Sequence, residues 1–169
     1  NEKPEDTSSS EDPEDTTNPG DVPVTPPETE PIPDDPKPMT RDLRVLISSD
    51  IHCTDLLEWY GVGFRQRMQH WVDSVLKEHN ENPFDLVVIN GDISLDYWIN
   101  GGSVIEKGKG TASIFINDYL SQLPDDLPVF VLPGNHEQYS NEQWLALTGN
   151  ERQGAMAVGG RLFIFLDNF

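Results

Sequence analysis

Residues 85–92 read DLVVINGD: Leu86, Val87, Val88 and Ile89 form an apolar run that ends on Asn90, Gly91 and Asp92. So short and continuous an apolar run reads as a buried strand. The pattern occurs twice more. Residues 43–47 (LRVLI) run through Ser48 and Ser49 into Asp50-Ile51-His52, and residues 128–132 (PVFVL) run through Pro133 into Gly134-Asn135-His136-Glu137. Between the first two runs, Phe64, Met68, Trp71, Val72, Val75 and Leu76 recur at helical spacing, and Asn82-Pro83 marks the break. Between the second and third lie a Gly-rich loop over residues 97–110 and a helix over residues 114–123, stopped by Pro124. Strand, helix, strand, helix, strand predicts an α/β fold with a parallel sheet and right-handed crossovers. A short helix over 141–147 and two strands over 155–158 and 162–166, turning at Gly159-Gly160-Arg161, follow.

In an open parallel sheet, ligands bind beyond the carboxyl ends of the strands. The three polar clusters should therefore meet on one rim. If residues 50–52 are extended, Asp50 and His52 point the same way and reach one cation together. Gly91 permits a sharp turn that presents Asp92, whose two oxygens could bridge two cations. Asn135 offers a neutral amide oxygen. Carboxylate, imidazole and amide together suit two divalent ions such as Mn, Fe or Zn, and match poorly a closed structural zinc site built on cysteines. Two ions roughly 3.5–4 Å apart clamp the attacking and leaving oxygens of a phosphoryl displacement, and lower the pKa of bound water from about 15.7 towards about 7. His136, next to Asn135, could protonate the leaving alkoxide. Polar capping of strand ends is the plainer account of these five residues; three such clusters in this order favour the metal.

Charge divides the chain. Residues 1–40 hold twelve Asp or Glu against two Lys, a charge of -10, and ten of the fourteen prolines. The rest carries -9 of the total -19. With so little to bury, residues 1–40 are expected to form a disordered, self-repelling acidic tether before a domain over 41–169. Such a tether hints at a secreted or cell-surface location. An acidic body does not suit nucleic acid, which needs a basic surface, yet bound cations would admit a small phosphorylated substrate. The single cysteine, Cys53, excludes an intrachain disulfide and reads as a small buried residue. No apolar run is long enough to span a bilayer. The start at Asn1 rather than Met reads as processed or trimmed.

SSDIHC, INGDIS and LPGNHE resemble the first three motifs of the calcineurin-like metallophosphoesterases. The resemblance covers about residues 43–169. It implies a two-sheet sandwich flanked by helices and a dinuclear site that hydrolyses phosphate mono- or diesters with metal-bound hydroxide. It also implies that Asp50 and His52 bind the first ion, Asp92 bridges, Asn135 binds the second, and His136 is the acid or a transition-state stabiliser. The family pattern continues with a lone histidine and a Gly-His-x-His motif. Here the histidines are 52, 70, 79 and 136, with none later. The chain is therefore expected to be the N-terminal portion of the domain and inactive alone. The purple acid phosphatase branch carries a tyrosine three residues after the bridging aspartate; Leu95 stands there, with Tyr97 two residues on. The rival reading is a non-catalytic surface or binding module that keeps the fold. His70 and His79 read as exposed helix residues, and Met68 and Trp71 as core. Two points stay open: whether Tyr97 and Trp98 wall a substrate or only pack, and whether Glu137 orients His136 or caps the next segment.

Overall fold

The computed structural model describes residues 41–102 and 110–168; the tether expected over 1–40 lies outside them. Strands β1 (Val45–Ser48), β2 (Leu86–Asn90) and β3 (Val129–Leu132) form a parallel sheet in the order β1-β2-β3. Helix α1 (Phe64–Glu81) connects the first two strands. A one-turn helix α2 (Asp96–Ile99) stands where only a loop was expected. Helix α3 (Thr111–Ile114) then runs on through a π turn (Phe115–Tyr119) and a 3-10 turn (Leu120–Gln122), so the expected second helix begins three residues early and is not α-helical throughout.

Alternation along the strands gives the sheet two apolar faces. Val87, Ile89 and Val131 face a core that includes Phe64, Met68, Val72 and Val75 of α1 and Phe115. Gly63 offers no side-chain cap to α1, so that packing holds the helix; burying Phe64 alone is worth about 1.5–3 kcal/mol. Leu86, Val88, Phe130 and Leu132 face the other way, onto Phe165. Phe165 belongs to an antiparallel hairpin, β4 (Gly154–Val158) and β5 (Arg161–Phe165), and its ring stacks 3.9 Å from Phe130. The mixed α/β fold with a parallel sheet and helices agrees with expectation. The turn shifts by one residue: Gly159 and Gly160 make it with φ 56° and 73°, and Arg161 already pairs with Val158.

Helix α4 (Asn141–Thr148) begins with a capping box between Ser140 and Gln143 and ends at Gly149, φ 74°. Met68 is core as expected, and Trp71 packs against it while donating its indole N–H to the Ser48 hydroxyl (3.0 Å). His70 is exposed, whereas His79 is half-buried because its Nδ1 accepts the Phe84 N–H (3.1 Å) just beyond the end of α1. Among the described residues, no helix is long and apolar enough to cross a membrane.

Candidate metal centre

The exits of β1, β2 and β3 come together on one rim, and their backbones stay laced beyond the sheet. Asp50 N–H donates to Gly91 O (3.2 Å), His52 N–H to Asp92 O (2.9 Å) and Cys53 N–H to Ile93 O (2.7 Å). This lacing corrects the expectation of an extended segment. Asp50 and His52 lie in the left-handed region, φ 53° and 49°, because the chain must turn out of the sheet while keeping those bonds. Asp92 is left-handed too, φ 53°. For residues with a Cβ this costs roughly 1–2 kcal/mol each, a strain characteristic of functional sites.

Two glycines permit the approach of β2 and β3. A Cβ on Gly91 (φ 77°) would lie 2.8 Å from the Gly134 Cα, and a Cβ on Gly134 would fall on the Asp92 carboxylate. Asp92 is the hub. Its Oδ1 accepts the His136 backbone N–H (3.3 Å), and its Oδ2 lies 3.7 Å from His52 Nε2 and 4.0 Å from His136 Nε2. The ligand atoms of His52, Asp92 and His136 all fall within 4.8 Å of one another, and the two imidazoles stand 5.1 Å apart. His52 Nε2 and His136 Nδ1 are buried with no hydrogen-bond partner. Buried imidazole nitrogens normally find one. A divalent cation held among nitrogen and carboxylate donors would supply it, so these residues fit a metal.

The other two proposed ligands are more open to solvent than this trio. Asp50 is exposed, and its carboxylate accepts the Ser49 hydroxyl (2.6 Å). Asn135 is exposed on the turn after β3, between Gly134 and His136. His136, expected as an acid, is one of the three residues of the cluster.

Glu137 takes neither of the roles considered from the sequence. It is 0% exposed. Its carboxylate accepts four backbone N–H groups, from Asp92 (2.8 Å), Ile93 (2.9 Å), Ser94 (3.2 Å) and Gly134 (2.9 Å). It therefore clasps the turn carrying Asp92 to the turn carrying Asn135 and His136. Burial pushes its carboxyl pKa up, and the bonds from Gly134, Ser94 and Asp92 pull against that. Asp96 does similar work nearby: its buried carboxylate accepts the Ala112 N–H (3.2 Å) and lies 2.7 Å from the Thr111 hydroxyl, fixing the start of α3. Cys53 is fully buried, and burial pushes its thiol up to about 12, which disfavours the nucleophilic thiolate.

Aromatic groups flank the cluster. Trp98 is 57% exposed with its ring 5.6 Å from His136, and Tyr97 meets it edge-on at 5.8 Å. That favours a wall over core packing for Trp98. Sequence reasoning passed over Trp59, Tyr60 and Arg67, which line a cavity beside His52. A turn signal was present in Tyr60-Gly61; nothing in the sequence tied it to the rim.

Compared with known families, residues 43–165 match the model of the calcineurin-like phosphoesterases. No solved structure matches the chain.

Proposed function

The chain belongs to the calcineurin-like phosphoesterase family, and on that premise we propose that it hydrolyses phosphate mono- or diesters of a small substrate with two divalent ions. One observation carries the reading: His52, Asp92 and His136 converge with two imidazole nitrogens left unpartnered. Divalent ions supply positive charge to phosphoryl oxygens and acidify water. The chain's own residues do the rest. Asp50, His52, Asp92 and Asn135 would hold the ions, with the Asp92 carboxylate, which has two oxygens, offered to both. The Asp92 carboxylate is oriented through its own N–H and that of His136. His136 carries a proton to the leaving oxygen, and Trp98 shields that side from water. Residues 1–40 serve as an acidic spacer outside the cell or at its surface, a role their composition supports.

The test measures metal content and hydrolysis on the full-length protein. Asp92→Asn should lose more bound Mn or Zn than Asn135→Ala, since it serves both ions. Equal metal content and equal turnover in Asp92→Asn and the parent would overturn the bridging role. His136→Ala should slow an alkyl phosphate about 10²–10⁴-fold and a nitrophenyl phosphate far less, because only the poorer leaving group needs the proton. Equal losses would leave His136 an electrostatic role alone.

A further inference from the structure

We propose that the cavity beside His52 is the subsite for the organic part of the phosphoester, and that it selects a planar aromatic group bearing hydrogen-bond acceptors. The inference rests on the phosphoesterase reading above and deepens it. The cavity has a volume of about 310 Å³ and is lined by Asp50, Ile51, His52, Trp59, Tyr60 and Arg67. That is the size of a small-ligand pocket. It shares His52 with the metal cluster, so a phosphoryl group held there has its ester substituent next to this space.

Its aromatic wall sits on a tight turn. Trp59 and Val62 exchange both backbone hydrogen bonds (3.1 and 3.0 Å), and the two residues between them, Tyr60 and Gly61, have φ 54° and 75°. Both central residues are left-handed, as in a type I′ turn, where asparagine and glycine are the favoured pair. A tyrosine at Tyr60 is strained, and packing does not offset the strain because the side chain is fully exposed, at 103%. Trp59 is also open, at 40%. Two large rings thus stand unburied at the mouth of a cavity that touches the cluster. Aromatic faces so placed suit stacking against a planar group.

Arg67 adds the polar requirement. It lies in the first turn of α1, and its Nη1 makes one long bond to Ile51 O (3.5 Å). Its Nε and Nη2 are buried with no acceptor. A guanidinium with unfilled donors in a partly desolvated position is costly, and an incoming acceptor relieves that cost. Trp59 supplies the platform, and Arg67 supplies charge and donors for a carbonyl, carboxylate or ring nitrogen on the same group.

The test is tryptophan-fluorescence titration of the full-length protein with Mn, using methyl phosphate, phenyl phosphate and para-carboxyphenyl phosphate. Phenyl phosphate should bind about five- to tenfold tighter than methyl phosphate, and the carboxyphenyl ester tighter still. Trp59→Ala should erase the first difference, and Arg67→Met the second, while in both variants the binding of inorganic phosphate stays dependent on Mn. Circular dichroism of each variant checks that it is folded; Trp59→Leu and Arg67→Gln replace any that is not. Equal affinities for the three esters, or differences that survive both substitutions, would overturn the subsite and leave the phosphoesterase reading intact. If Mn strengthens the binding of none of the phosphates, that reading fails and the subsite falls with it.

Discussion

The rim of the parallel sheet and the β4–β5 hairpin both reverse the chain through left-handed backbone, but they do it with different residues. The hairpin uses Gly159 and Gly160, with open space around Gly160. The rim uses Asp50, His52 and Asp92, which bear side chains, and reserves Gly91 and Gly134 for the contact between β2 and β3. A hairpin turn needs only to turn, so glycine is the least strained choice. The rim must turn and also present a carboxylate or an imidazole at that point. The surrounding structure holds the strain in place: the buried Glu137 clasp at Asp92, and the bonds to Gly91 O and Asp92 O at Asp50 and His52.

If that contrast is right, substitutions at the rim and in the hairpin should separate cleanly. The largest effect should come from Glu137→Ala, which orphans four backbone donors and should cost about 3 kcal/mol or more. Denaturant unfolding measures it, and Mn affinity should fall too; an unchanged midpoint would show that the clasp does not hold the rim. Next come two glycines. Gly134→Ala drives a methyl into the Asp92 carboxylate and should weaken metal binding about tenfold or more. Gly160→Ala meets nothing within 4 Å and should cost about 1 kcal/mol of stability with metal affinity unchanged, both read by calorimetry. A smaller gain is expected from Tyr60→Asn, which suits the turn and should stabilise the protein by about 0.5 kcal/mol while weakening phenyl phosphate. Last, native Cys53 should resist iodoacetamide at neutral pH and react only after unfolding, because burial holds its thiol near 12; rapid native alkylation would mean that the β1 exit opens.

The strand ends were legible because short apolar runs meeting polar residues leave a local mark. From Leu86 to Asp92 the sequence alone places both the strand and the residue that leaves it. The backbone beyond was not legible. Reading Asp50 and His52 as extended ignores a partner distant in sequence, since their N–H groups are held by Gly91 and Asp92. Glu137 escaped for the same reason: its four donors lie on a different turn or three residues back, and the GNHE string does not say where its last side chain goes. His79 read as exposed because helical spacing says nothing of the chain returning at Phe84.

The Glu137 clasp touches only main-chain atoms of Asp92, Ile93, Ser94 and Gly134. Amide hydrogens are common to every residue except proline, so the clasp itself does not depend on the side chain that Asp92 displays. Asp92 could be exchanged for another residue that bears an N–H, and the clasp would still hold the loop path, provided Gly91 and Gly134 keep the space between β2 and β3 open. For a designer, this makes the rim a socket: new donor sets can be tried there without rebuilding the support beneath them.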